Sequence, residues 1–292
     1  VFPPPGAGLT RIRFVGYDLS RRLTASTPVV ERDYSPGGEG GARAGKRPVR
    51  SGVVAFMTTI PFHHPLAPAT FVERPNRFLV RCTLDDSGET TEAHLADRGR
   101  LETILVPGRR LWLEPASSPT RRTRWTVRLA ETPAGDSLVS LDSALPNRLV
   151  RKALEKGALE EFRGWALVRA EWTHGASRFD FLLGNEDGER LALEVKSVGL
   201  ANEGVGLFPD APTTRGTRHL HELAALARED GRHAAVLFIA QRGDVHRISA
   251  AHHIDPAFAR ALADARAASV RVLARRCHVT LTGITLGDAV EV

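Results

Sequence analysis

The chain is 292 residues long, 42% hydrophobic and 25% charged, an ordinary globular balance with room for about two domains. No run approaches the roughly 20 continuous apolar residues that span a bilayer, and two distant cysteines, Cys82 and Cys277, exclude a disulfide scaffold or a cysteine zinc site. The formal charge of +6 sits mostly at the front, where residues 1–56 hold nine Lys or Arg against four Asp or Glu, so whole-chain charge says little about partners.

Residues 1–56 are rich in Pro, Gly and Arg with no period of 2 or 3.6, and read as a disordered or non-native leader. The only methionine, Met57, stands directly before the patterned stretch TIPFHHPL and is the expected biological start. With no secretory apolar core at the N-terminus, a cytoplasmic location without a membrane partner is expected.

Residues 57–142 read as an OB-fold-like DNA-binding domain. RFLVRCTL, TTEAHL, RRLWLEP, RWTVRLAE and SLVSLD are five short strand candidates separated by Gly, Pro and Asp, the pattern of a small barrel. Residues 98–128 hold eight arginines against Glu102 and Glu114. Among them Arg98, Arg100, Arg121, Arg122 and Arg124 are candidate phosphate contacts. Trp125, beside the last three, either stacks on bases or packs into the barrel.

Residues 143–292 alternate helix and strand, an α/β pattern. ALPNRLVRKALEKGALEEF carries a helical stripe of Leu145, Leu149, Ala153 and Leu154, with Gly157 placed to end it. Strands WALVRAEW, SRFDFLLG and RLALEVKSVGL follow, then a helix through HLHELAALARE. The nearly all-apolar HAAVLFIAQ reads as a strand buried on both faces. A helix near PAFARALADARAA and the strand VRVLAR complete the domain.

The hairpin from Ser177 to Lys196 holds the chemistry. Alternation places Phe179, Phe181 and Leu183 on one face, and sets Glu194 and Lys196 together on one face of the next strand. A turn centred on Asp187 brings Asp180 opposite Glu194, with Cβ atoms roughly 5 Å apart. A two-residue turn at Gly175 and Ala176 sets Glu171 against Asp180, making a row of three carboxylates. Such a row repels itself unless a cation sits within it, and oxygen-only ligands suit Mg²⁺ or Mn²⁺ bridging to a phosphate. Lys196, one of four lysines beside 36 arginines, could orient or deprotonate water, a role that a permanently charged guanidinium cannot fill; the alternative is an ion pair with Glu194.

The strings AHLADRGRL, PNRLV, SRFDFLL, EVKSVGL and FPDAPTTRGTRHLHEL, in this order and spacing, resemble the sugar fermentation stimulation protein (SfsA) family over about Arg77 to Ala274. The resemblance implies an OB-fold joined to a PD-(D/E)XK nuclease-like domain, DNA as partner and a part in regulating sugar use. It carries the nuclease motif onto Asp180, Glu194 and Lys196. Phe179 stands where the superfamily pattern has proline, Gly199 where a threonine is expected, and ADRGRL where the family has an NTGRM-like stretch. In the last of those strings Arg215 and His219 share a helix face and are candidates to contact phosphate in the cleft; His221 reads as merely wet. Gln241, at the end of the buried strand, either lines the site or is a satisfied strand-end amide.

Two readings follow: a Mg²⁺-dependent phosphodiesterase in which Asp180 and Glu194 hold the metal and Lys196 assists water, or a largely sequence-nonspecific DNA-binding regulator of sugar (maltose) metabolism without turnover.

Overall fold

The computed structural model describes residues 58–118 and 120–292. The expectations for residues 1–56 and for Met57 fall outside them.

Two sheets dominate, joined by a small third one. The first closes into a barrel from β2 (Ala67–Asn76), β3 (Leu79–Leu84), β4 (Thr90–His94), β5 (Arg110–Pro115) and β6 (Trp125–Glu131), ordered β4-β3-β2-β5-β6 and sealed by parallel pairing of β4 with β6. β7 (Leu138–Ser140) pairs on the outside of β6. An OB-like barrel is thus present, but with a different fifth strand from the expected one: β2 is a wall of the barrel and β7 an appendage. Pro68 and Pro75 hide β2 in the sequence, because proline normally marks a strand edge or a bulge. β2 does bend its register twice against β3.

The second sheet has seven strands in the order β1-β16-β15-β13-β10-β9-β8. These are β1 (Thr58–Pro61), β8 (Ala166–His174), β9 (Ser177–Gly184), β10 (Arg190–Val198), β13 (Arg232–Ala240), β15 (Arg271–Thr280) and β16 (Gly283–Ala289). β1, which the sequence places with the barrel, pairs instead with β16. β13 lies parallel to both β10 and β15, and all of Ala234–Ala240 is buried, as its apolar run requires. β11 (Ala201–Asn202), β12 (Val205–Phe208) and β14 (Arg247–Ala250) form the small sheet.

Helix α1 (Leu145–Glu155) covers one face of the seven-stranded sheet, packing Leu145, Leu149 and Ala153 on Phe181, Leu183, Leu193 and Val195. Gly157, at φ 61°, closes it as expected. α2 (Thr214–Leu226) and α3 (Pro256–Ala267) cover the other face through Leu220, Leu223 and Leu262 against Ala192, Val236 and Phe238. The Thr213 hydroxyl caps α2 by accepting from the Gly216 N–H at 3.1 Å. Asp255 accepts from Phe258 N–H at the start of α3 and from Thr213 N–H, so one carboxylate fixes the starts of both helices. β7 anchors the barrel to the end of β13, where the Ser140 N–H donates to the Gln241 carbonyl at 2.9 Å.

Candidate metal and nucleic-acid site

The hairpin keeps the register that its turn imposes: Arg190 faces Gly184, and Leu193 faces Phe181. Pairing then stops one step before Asp180 and Glu194. Instead of entering the ladder, the Asp180 carboxylate accepts the Val195 N–H at 2.7 Å through Oδ2 and the Asn147 amide at 2.5 Å through Oδ1. β8 and β9 pair as the Gly175–Ala176 turn predicts, from His174–Ser177 to Arg169–Leu182. Glu171, however, has φ 52°, a left-handed backbone rare for a residue with a side chain. Around this point both strands change face: Phe179 and Trp172 pack toward α2, whereas Phe181 and Ala170 pack toward α1. Two sequence expectations fail here for one reason. Phe179 does not share a face with Phe181, and Glu171 does not join a carboxylate row; it is exposed and points to Arg178 at 3.8 Å. Among the described residues no group of three or more His, Cys, Asp or Glu side chains is placed to hold a metal.

Glu194 and Lys196 do share a face, as the alternation requires. Glu194 is 5% exposed, and its Oε1 receives both Lys196 Nζ at 2.6 Å and His219 Nδ1 at 2.7 Å. Arg215 Nε donates to His219 Nε2 at 3.4 Å, so Nδ1 is the ring nitrogen that faces Glu194. Arg215 and His219 therefore reach the cleft from α2, but His219 is 1% exposed with both ring nitrogens engaged. In place of the open cleft-facing position expected for it, its ring is spent on Glu194 and Arg215. Glu194 Oε2 is buried without a partner.

Electrostatics separate the two carboxyls. Burial, reinforced by the negative charge of Glu194, pushes Asp180 up to about 6 despite its bonds from Val195 and Asn147. Burial alone would raise Glu194 too, but the hydrogen bond from His219 and the charge of Lys196 hold it below the ordinary carboxylate range.

Gln241 does not line this cleft. It is fully buried, and its amide donates to the Ser197 hydroxyl at 2.9 Å, from the strand position alternate to Lys196. Asn147, in the first turn of α1, was not among the candidate residues; only its place within PNRLV hints at it.

On the barrel, Arg98, Arg100, Arg110, Arg121, Arg122 and Arg124 are exposed, with Arg121 donating to the Thr126 hydroxyl at 2.9 Å, and the three arginines of the run outside the candidate set are engaged by acceptors. Arg109 donates to the Thr132 carbonyl, Arg110 pairs with Asp85 and Arg128 pairs with Glu114 and Asp142. Trp125 packs on the barrel core, so the exposed aromatic is Phe78, 47% accessible, with the Arg98 guanidinium 4.9 Å over its ring. Phe78, His94, Arg121 and Arg122 line one open groove.

Comparison with known proteins agrees with this arrangement. Residues 72–141 match the SfsA N-terminal OB domain, and residues 144–283 the sugar fermentation stimulation protein RE domain. The sugar fermentation stimulation protein homolog of Shouchella clausii is 44% identical over 228 residues, 78% of this chain and 97% of the relative. That of Chloroflexus aurantiacus is 46% identical over 228 residues, 78% and 86% of the two chains. The solved structure of Pyrococcus furiosus SfsA in complex with Ca²⁺ superposes with a TM-score of 0.71 at 29% identity, covering 80% of this chain and 98% of that one. The chain belongs to the sugar fermentation stimulation protein family.

Proposed function

We propose that this protein binds DNA through its barrel and hydrolyses phosphodiesters at Asp180, Glu194 and Lys196 with a divalent cation. The observation that carries this reading is the incomplete satisfaction of the site. A buried carboxylate oxygen, Glu194 Oε2, has no partner, and the neighbouring Asp180 is held in an environment that disfavours its charge. A buried unmet acceptor normally costs about 1–3 kcal/mol, and a cation between the two carboxyls would relieve both strains. The donor set fits: two carboxylates leave most coordination positions to water and phosphate, as Mg²⁺ or Mn²⁺ prefers. The Ca²⁺ bound by the Pyrococcus furiosus relative supports the same class of ion.

When bound, the cation supplies charge neutralisation at the scissile phosphate. Asn147 and the Val195 N–H fix Asp180, and His219 fixes Glu194, so both ligands are oriented before the ion arrives. Lys196, 13% exposed at its side chain, is placed to hold a water or a phosphate oxygen at the cleft. Arg215, exposed on α2 and bonded to His219, adds a second cation on the same helix as that positioning residue. Arg98, Arg121 and Arg122 beside Phe78 suit backbone contacts with a base stacked on the ring.

The test incubates the full chain with plasmid and linear DNA in Mg²⁺, Mn²⁺ or EDTA, beside Asp180→Ala and Lys196→Ala. Cleavage that needs metal and vanishes in both variants is expected. Binding without cleavage in every condition would replace the enzyme by a DNA-binding regulator, a reading that the ready-made Lys196–Glu194 ion pair favours.

A further inference from the structure

Among the described residues, four other than glycine adopt a left-handed backbone: Leu101, Glu171, Glu203 and Ser269. Glu203 lies in the turn between β11 and β12, Ser269 follows the end of α3, and Leu101 belongs to the connection after β4, where such a conformation redirects the chain. Glu171 alone lies inside a strand. A side chain at φ 52° costs energy that a regular strand avoids, so its place in β8 calls for a reason.

The reason lies across the hairpin. The ladder pairs Ala170 with Phe181 and Trp172 with Phe179, so Glu171 stands opposite Asp180 at the crossover where both strands change face. In an unbroken ladder Asp180 would project from one face of the sheet. At the crossover its carboxylate lies instead in the seam between β9 and β10, where Oδ2 accepts the Val195 N–H, a group that points along the sheet. Pairing of β9 with β10 ends at Phe181 and Leu193, which leaves that N–H to the carboxylate. Asn147 then meets Oδ1 from α1.

The side chain of Glu171 adds little to this, because it is exposed and its ion pair with Arg178 is 3.8 Å long. What matters is the backbone conformation. β8 is the edge of the sheet and carries a bulge at Val168, so among the described residues no further strand holds Glu171 in place. A residue that disfavours the left-handed region is free to straighten there.

We propose that Glu171 is a positioning residue: its left-handed backbone turns the β8–β9 ladder over at Asp180 and so sets that carboxylate on the Val195 N–H, in the orientation that holds a cation with Glu194. The cation part rests on the proposed function, whereas the placement of Asp180 does not. The rival is an edge guard. Irregular backbone on an outer strand also keeps it from pairing with a second copy, and Asp180 would then not depend on it.

Variants of the full chain separate the two. Asparagine and glycine tolerate the left-handed region and a β-branched residue does not, so Glu171→Asn, Glu171→Gly and Glu171→Val are compared with wild type, with Glu171→Thr in reserve should Glu171→Val fail to fold. Hydrogen exchange of the Val195 amide, read by NMR in EDTA, reports the bond to Asp180 without metal. Calorimetric titration with Mn²⁺ and with Ca²⁺ reports the cation site, and sedimentation reports association. In Glu171→Val the Val195 amide should exchange roughly tenfold faster or more, the factor expected when a bond to a charged group is lost, while the core amides of β13 stay protected. The same variant should bind the cations about 10–100-fold more weakly, as when a group that orients a metal ligand is removed. Glu171→Asn and Glu171→Gly should match wild type in both readouts. If wild type binds neither cation, the proposed metal site fails, and the exchange rates alone decide the placement of Asp180. A lower melting temperature in Glu171→Val with exchange and cation affinity unchanged overturns the proposal, as does its association with both unchanged. Weakening of equal size in all three variants also overturns it, because the role would then belong to the Glu171 carboxylate.

Discussion

Two clusters of buried charge in this molecule are finished in different ways. Between the barrel and α1, Glu114 accepts from the His63 and His64 N–H groups and from Arg128, and Asp142 accepts from Arg128, Arg148 and the Ala144 N–H. Every carboxylate oxygen there has a partner. In the sheet, Glu194 keeps one oxygen bare and Asp180 is protonated far more easily than a free carboxyl. A closed network joins parts of a fold, whereas an open one stores unmet attraction for something that arrives later. The difference sets the two clusters apart without reference to motif.

The largest contrast should appear on truncation. Removing one member of a buried, fully bonded pair strands its partner and costs about 3–5 kcal/mol. Glu114→Ala is therefore expected to lower the unfolding free energy by that order in a denaturant titration, with or without divalent cation. Asp180→Asn, which deletes a disfavoured charge, should leave the metal-free protein about as stable as before at pH 7.5. If the two variants cost the same, the distinction fails.

Acid should move the two clusters in opposite directions. Asp180 titrates at about 6 when folded, against 3.8 when unfolded, so its penalty is complete above pH 6 and is relieved as pH falls toward 4. Over that window the metal-free wild type should gain roughly 3 kcal/mol relative to Asp180→Asn. Glu114, held low by the hydrogen bond from Arg128 against its own burial, adds stability above its unfolded value that is lost as pH drops through its folded one. Melting curves of wild type, Asp180→Asn and Glu114→Gln across pH 4–8 distinguish these signs.

Cation should close the open cluster. At a hundredfold excess over Kd, Mg²⁺, Mn²⁺ or Ca²⁺ is expected to add about 2.7 kcal/mol to wild type and nothing to Asp180→Asn. His219→Ala should keep the fold but weaken that stabilisation, as loss of a residue that orients a ligand costs roughly 10–100-fold in metal affinity. Undiminished metal stabilisation in His219→Ala would remove its positioning role.

Much of this contrast was legible in the residues. Strict alternation in RLALEVKSV put Glu194 and Lys196 on one face, and the two turns set the hairpin registers that the ladders show. The failures share a cause: alternation describes regular strands only. Glu171 adopts a left-handed backbone that no residue type announces, and with it the row of three carboxylates disappears. β2 was hidden by its prolines, although it forms a wall of the barrel. The helix spacing of Arg215 and His219 predicted their arrival at the cleft, but not that His219 would be buried and spent on Glu194. Asn147 meets Asp180 only in three dimensions.

The smallest effect carries the comparison onto the barrel surface. Arg110 is exposed yet faces Asp85 at 3.7 Å, whereas Arg122 has no ion pair among the described residues and lines the groove beside Phe78. Each phosphate neutralised releases counterions, so the logarithm of affinity falls against that of salt with a slope of about 0.9 per contact on duplex DNA and about 0.7 on single strands. Arg122→Ala should therefore flatten that slope by just under one unit and weaken binding a few-fold at 100 mM salt. Arg110→Ala should leave it nearly unchanged, because a cation already engaged by a carboxylate releases little. Equal slopes for the two variants, measured by anisotropy between 50 and 200 mM salt, would show that the groove beside Phe78 does not track the phosphates.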